Sequence, residues 1–319
     1  MKKARILLIT PNLKGIKDGL NRIQPSLGLM TVAQSLLNNN HIVKIHDTAL
    51  EGWDNKVDID NNKIMIGQSD EEIEKVIRTF NPDIVGISIL FSNLNQSAHT
   101  IAKIVKKINS KIYVLIGGNH ISNSLIDYQH NIIHPGDDMP LIKDLEDKNV
   151  DFALVGESDF TIIELVNKLI NNQDYSKVPG LLRQISKGKY LHNPSDRIND
   201  LINLPIPARH LVNMEGYFDI GAFHSAKSRS SRVLNIMCSR GCPEKCTFCT
   251  TPQMWGTSVR WRKLEDIMLE IKNGVNEFNV GEIQFEDDTI TARKKNLIDL
   301  CNGLEKIGLP WCTPNGIKT

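Results

Sequence analysis

The chemistry this chain can do is concentrated in one stretch, CSRGCPEKCTFCT at residues 238–250, which carries four of its six cysteines. The spacing is Cys238-x3-Cys242-x3-Cys246-x2-Cys249, while Cys301 and Cys312 stand apart from it. Grouped thiols can hold zinc, pair as disulfides or bind an iron–sulfur cluster, and each use leaves its own pattern. Structural zinc sites usually draw paired cysteines from two separate knuckles, or add a histidine pair. No second knuckle and no H-x3–5-H follows here. A secreted domain stapled by disulfides spreads its cysteines along the chain, yet the first 237 residues contain none. Three thiolates on one loop suit a cubane cluster in which one iron is left open, whereas ordinary electron-transfer clusters use four cysteines. An open iron can be chelated by a substrate or a cofactor. Zinc and a disulfide knot remain the rival readings. Cys238, at the edge of the group, reads as a small buried hydrophobe, since a fourth protein ligand would close the open iron.

Other elements must position that loop. A chain of 319 residues suits two domains. With 40% hydrophobic and 24% charged residues it can bury a sizeable core. A net charge of +1 offers no bulk attraction to nucleic acid or an anionic membrane. No stretch approaches the ~18 apolar residues that span a bilayer. The N-terminal apolar run reads as a buried strand and not as a signal peptide. The cysteine usage points to a reduced, cytoplasmic compartment.

Over residues 1–180, apolar runs alternate with helical periods: RILLIT (5–10), SLGLMTVAQSLLNNN (26–40), HIVKIHD (41–47), DEEIEKVIRTF from Asp70, PDIVGISIL (82–90), NQSAHTIAKIVKKI (95–108), KIYVLIGGNH (111–120), VDFALVGESDF (150–160) and FTIIELVNKLI. Such alternation predicts an α/β fold with a doubly wound parallel sheet, whose ligands bind beyond the carboxyl ends of the strands. The ends that could line a crevice are Thr10, Ser88 to Phe91, Gly117 to His120 and Gly156 to Ser158. The absence of G-x-G-x-x-G after the first strand argues against a dinucleotide. The loop at 11–25 is long enough to be a binding loop, and 51–69 reads as polar and irregular. Residues 181–230 read as a connector with a small hairpin turning at Lys187-Gly188. From 231 to 319, VLNIMCSRGC, KLEDIMLEIKNGVNEF, GEIQFEDDTIT and RKKNLIDLCNGLEKIG read as strand, helix, strand and helix, the opening of a (β/α) barrel. LPWCTPNGIKT can start a third strand. A closed barrel takes roughly 250 residues, so the barrel is incomplete here.

GCPEKCTFC, with C-x3-C-x2-C and Phe248 directly before the last cysteine, follows a barrel-opening strand and resembles the radical S-adenosylmethionine (radical SAM) enzymes. The resemblance implies that Cys242, Cys246 and Cys249 hold a [4Fe-4S] cluster whose fourth iron is chelated by S-adenosylmethionine. Reduction would then cleave the cofactor to a 5′-deoxyadenosyl radical. It also implies that Phe248 packs near the adenine, and that Asp287 and Asp288, in IQFEDDTIT, accept hydrogen bonds from the cofactor's ammonium. Two such acids can instead cap the next helix. Arg260 and Arg262, in WGTSVRWRKLEDIMLEI, would hold the cluster loop or a carboxylate, or serve structurally.

SLGLMTVAQSL, PDIVGIS, VLIGGNH and VDFALVGESDFTIIELV resemble, in order and spacing, the cobalamin-binding domain that precedes the barrel in one radical SAM subclass. Residues Ser88, Gly117, Gly118, Asn119, His120, Gly156 and Glu157 would line the corrinoid or its nucleotide tail. The D-x-H-x-x-G motif of many cobalamin proteins is absent, so cobalt would have no lower ligand from that motif; His120 is a rival candidate for one. Together the resemblances imply a cobalamin-dependent radical SAM enzyme, methylating an unactivated carbon of a small-molecule substrate and reduced by a donor such as flavodoxin or ferredoxin. Radical cyclisation or rearrangement with the same cofactors, or a truncated or split-chain cofactor-binding protein, are the alternatives.

Overall fold

The computed structural model describes residues 2–60, 62–221, 223–225 and 227–318. The chain folds as two compact units, one made of residues up to Gly19 together with Gly28–Arg197, the other of Leu20–Leu27 together with the chain from Ile198 onward. Among the described residues no helix is long and apolar enough to cross a membrane.

The first unit is built on β1 (Arg5–Thr10), β3 (Ile42–Asp47), β6 (Ile84–Ser88), β7 (Tyr113–Gly117) and β8 (Phe152–Leu154), all parallel, followed by an antiparallel pair, β9 (Leu181–Ser186) and β10 (Lys189–His192). The order across the sheet is β10-β9-β8-β7-β6-β1-β3. Counting only the parallel strands in chain order, this is the 2-1-3-4-5 arrangement, which reverses direction at the β1/β6 junction. Ile6, Leu7, Leu8 and Ile9 of β1 are all buried, as a strand covered on both faces requires. The expected hairpin at Lys187-Gly188 forms, and it extends this sheet.

Helices α1 (Leu27–Asn38), α3 (Asp70–Phe80), α4 (Asn95–Ile108) and α6 (Thr161–Ile170) match the expected periods. The Ser69 hydroxyl accepts from Glu72 N while the Glu72 carboxylate accepts from Ser69 N, a capping box that starts α3. Ile73 and Ile77 of α3 then pack with Ile101 and Val105 of α4 against Val85 and Ile87 of β6. A short helix α2 (Thr48–Glu51) is capped by Asp47.

Four of these elements depart from the expectation. The loop after β1 and the stretch read as irregular at 51–69 supply β2 (Leu13–Ile16), β4 (Lys56–Asp60) and β5 (Lys63–Ile66), an antiparallel sheet in the order β2-β5-β4. Only Ile64 and Ile66 of β5 are buried, so the alternation was too short to register. Helix α5 (Asn119–Gln129) begins directly after Gly118. Of its side chains only Ile121 and Leu125 are buried.

In the second unit β11 (Val233–Ile236), β14 (Glu282–Phe285) and β15 (Trp311–Cys312) form a parallel sheet in the order β11-β14-β15, joined through α9 (Leu264–Phe278) and α10 (Lys294–Glu305). These are the opening βα units of a barrel. The described strands form an open three-stranded sheet. A two-residue ladder pairs β12 (Ser239–Arg240) with β13 (Arg260–Trp261), and two short helices, α7 (Met214–Ile220) and α8 (Thr251–Trp255), complete the unit.

Candidate functional site

The β12–β13 ladder closes the base of the cysteine loop. At Gly241 the backbone turns with φ +101°, and a Cβ there would lie 2.5 Å from the Ser258 carbonyl oxygen, so glycine is required. Cys242 N then donates to Gly256 O at 3.1 Å, and Cys242 Sγ lies 3.0 Å from Thr289 Oγ1. Cys242 is buried, Cys249 half-buried and Cys246 exposed; all are free thiols. Cys249 N donates to Cys246 O at 3.1 Å, closing a turn across the C-x2-C pair. Among the described residues no three Cys, His, Asp or Glu side chains are gathered closely enough to hold a single metal ion. The donor set, three free thiols on a loop closed at its neck, fits a thiolate-bound iron–sulfur group. Phe248 projects into solvent, 89% exposed. Cys238 is completely buried, with its thiol pushed well above the ordinary range by desolvation, as packing demands.

The acids at the end of β14 divide. Asp287 is 1% exposed, and its carboxylate accepts from Cys238 N at 3.0 Å, Ser239 N at 2.6 Å and the Ser239 hydroxyl. Burial lifts its pKa to about 6 against those hydrogen bonds. Both oxygens accept from Cys238 and Ser239 of the protein itself, where the resemblance implies a cofactor ammonium as their partner. Asp288 is half-buried, takes a 3.4 Å contact from Thr251 Oγ1 and is likewise raised by burial. Sequence reasoning overlooked Glu286. Its Oε2 pairs with His224 Nδ1 at 2.8 Å, its Oε1 is buried without a hydrogen-bond partner, and desolvation raises its pKa. The available signal was its place at the strand end beside two further acids.

Arg260 and Arg262 hold backbone, one of the readings open in the sequence. Arg260 donates to Ile198 O at 2.5 Å and Trp255 O at 2.8 Å. Arg262 Nη1 donates to Met237 O at 3.0 Å and pairs with Glu270 at 2.7 Å. Arg209 pairs with the other Glu270 oxygen, also at 2.7 Å, and donates to Asn235 O at 2.5 Å. This buried Arg–Glu–Arg triad was invisible in the sequence, where Glu270 sits one residue off the apolar stripe of α9.

In the first unit the β7 end makes a close backbone approach. Gly118, at φ +105°, would place a Cβ 2.6 Å from Ile89 O, and Ile89 N donates to Gly117 O at 2.7 Å. Gly156, at φ +75°, stands against Ser195 Oγ, and Gly156 N donates to Ser122 Oγ at 3.3 Å. Ser88, Gly117, Gly118, Asn119 and His120 are half-buried and Glu157 is buried. Leu90 and Phe91, after β6, are exposed. Asn95 Oδ1, at the start of α4, and Asn123 Oδ1, in the N-terminal half of α5, are buried without partners. Orphaned acceptors beside exposed apolar side chains suit a large ligand with amide groups on an apolar ring, as a corrinoid is.

His120 is engaged through Nδ1, while its Nε2 is buried without a hydrogen bond. Its Nδ1 lies 2.9 Å from Ser92 Oγ and its Nε2 faces Asp144 Oδ1 at 3.4 Å. Asp144 also bonds His99 Nε2 at 3.2 Å, and His99 Nδ1 bonds Asp147 at 2.7 Å. Burial alone would raise Asp144, but the two imidazoles outweigh it and hold its carboxyl well below the usual range. His120 thus belongs to a polar network with Ser92, Asp144 and His99 at this end of the sheet.

Comparison with known proteins places these sites in context. The B12 binding domain model matches residues 15–139. The chain is 31% identical over 98% of its length to the cytidylyl-2-hydroxyethylphosphonate methyltransferase of Streptomyces wedmorensis, and 30% identical over its whole length to an uncharacterized methyltransferase of Pyrococcus horikoshii. It spans 60% and 61% of those relatives. In fold it resembles OxsB, a cobalamin-dependent S-adenosylmethionine radical enzyme solved with aqua-cobalamin and S-adenosylmethionine, at a TM-score of 0.68 and 17% identity, covering 98% of this chain and 38% of that one. It also resembles the radical S-adenosylmethionine methyltransferase TsrM from Kitasatospora setae, at 0.62 and 14%, covering 95% and 51%. The fold class and the resemblance expected from the sequence are borne out, and the B12 binding domain match supports the cobalamin part of the expected cofactor set.

Proposed function

We propose that this member of the cobalamin-binding-domain-containing radical SAM family takes part in methyl transfer to a small-molecule substrate. The observation that carries the reading is a C-x3-C-x2-C loop on a barrel-opening strand, in one chain with a B12 binding domain match. When bound, the cluster with S-adenosylmethionine supplies a radical and cobalamin a transferable methyl group. The chain's own residues do the rest. Cys242, Cys246 and Cys249 are the thiolates proposed to hold the iron. Glu286, with its unpartnered Oε1, is the acid we assign to a cationic group, where a carboxylate–ammonium contact in a protected site is strong; Asp288 is the second candidate. Phe248, exposed beside Cys249, offers a flat apolar surface to a cofactor base. In the first unit the strand ends at Ser88, Gly117, Gly118, Asn119, Gly156 and Glu157, with Asn95 and Asn123, are proposed to line the corrinoid. Exclusion of water from such a site protects reactive species. An external one-electron donor is the proposed partner, and a reduced cytoplasm the proposed setting.

The test is anaerobic reconstitution with iron, sulfide and hydroxocobalamin, read by absorbance and metal analysis, then incubation with S-adenosylmethionine and reductant. Cluster iron, a retained corrinoid and 5′-deoxyadenosine are expected. Iron without corrinoid would sink the assignment of the first unit, and stoichiometric zinc without iron would sink that of the loop.

A further inference from the structure

The neck of the cysteine loop is gripped from two sides by buried charge. On one side, Arg209 and Arg262 donate to the carbonyls of Asn235 and Met237, both anchored by Glu270. On the other, Asp287 accepts from the amides of Cys238 and Ser239 and from the Ser239 hydroxyl. Arg262 N donates to Cys238 O at 2.9 Å, tying the outgoing strand to the incoming one. A carboxylate removed from water is tolerated only when hydrogen-bonded, and the donors that satisfy Asp287 all come from the neck. Conversely, the neck's two consecutive amides find their acceptors in Asp287. The next residues are Arg240, the strained Gly241 and then Cys242, whose amide continues the lock on Gly256. There is little slack between the gripped amides and the first thiol.

We propose that Asp287 is a positioning residue for the cysteine loop: by pinning Cys238 and Ser239 it fixes the departure point of Cys242 and preorganises the three thiols for their cluster. This rests on the reading of the loop as an iron–sulfur ligand set. A group that receives its partner in a preset geometry loses less freedom on binding. Asp287 acts through the Cys238 and Ser239 donors at the neck of the loop.

The experiment uses the full chain with Asp287→Ala, Asp287→Asn and Ser239→Ala, each reconstituted anaerobically. Circular dichroism checks folding, chelator challenge measures iron retention, and electron paramagnetic resonance of the reduced cluster reports its geometry. Leaving buried amides without an acceptor weakens retention in Asp287→Ala about tenfold or more, with a broadened or shifted resonance. Asp287→Asn, which keeps one carbonyl acceptor for Ser239, restores part of both, and Ser239→Ala lies between wild type and Asp287→Ala. Wild-type retention and an unchanged resonance in folded Asp287→Ala overturn the proposal. Should that variant not fold, the same result in Asp287→Asn and Ser239→Ala overturns it. A wild-type chain that takes up no iron fails one step earlier and overturns the ligand-set reading as well.

Discussion

Glu270→Gln isolates the worth of the buried triad. Glu270 holds Arg209 and Arg262 at 2.7 Å each, with all three side chains nearly inaccessible. At an effective dielectric of about 20, each contact represents roughly 6 kcal/mol of gross attraction, most of it offset by desolvation. Removing the central charge leaves two guanidiniums buried without a counter-ion, and breaking one buried pair this way costs about 3–5 kcal/mol. Glutamine keeps one acceptor, so about 3–5 kcal/mol is the expected loss for the whole triad. That is a large share of the ~5–15 kcal/mol that stabilises a domain. The second unit holds three of the four tryptophans, Trp255, Trp261 and Trp311, so in a Trp53→Phe background tryptophan emission during urea unfolding reports on it alone. The midpoint should fall by more than about 1 M urea. Adding Arg209→Met to Glu270→Gln should recover part of the loss, because one uncompensated charge disappears. A midpoint within about 0.3 M of the parent, or strict additivity of the two changes, would refute the account of the triad.

Gly118→Ala forces a Cβ to within 2.6 Å of Ile89 O at φ +105°, and thermal unfolding of the first unit should show a loss of about 1–3 kcal/mol or more. Asp144→Asn probes the histidine network through pH. Asp144 is depressed, so its contribution is present above the unfolded carboxylate range and lost as pH falls through its folded value. His99, raised chiefly by its bond to Asp144, contributes below the unfolded imidazole range and loses that contribution as pH rises through its folded value. The stability gap between wild type and Asp144→Asn should therefore be widest near pH 5–6 and narrower at pH 8, and a gap that does not change with pH in denaturant titrations would contradict the ion-paired network. Alanine at Cys242, Cys246 or Cys249 should abolish cluster iron measured after reconstitution, while Cys238→Ala leaves it in place; loss at Cys238 as well would make the three-plus-one division wrong.

The sequence by itself determined the class of fold and the grouping of the cysteines proposed as cluster ligands. Cysteine spacing is legible without coordinates because it lies within a dozen consecutive residues. The alternation of β1, β3, β6, β7 and β8 with their helices is legible because a strand buried on both faces must be a continuous apolar run. Short, half-polar elements such as β2, β4 and β5 carry too little period to be read, and α5 buries only two side chains, Ile121 and Leu125. Tertiary structure alone decided what the acids do. Asp287 and Asp288 are neighbours of one type, yet one faces inward onto the Cys238–Ser239 amides and the other stays half-buried beside Thr251. Successive residues leaving a strand point in opposite directions, so which of two aspartates grips the neck depends on the backbone path packed against it. Glu270 makes the same point from a helix, since its two arginine partners come from residues 61 and 8 positions earlier in the chain. Ion pairs that bridge such separations are set by packing, and no local spacing announces them.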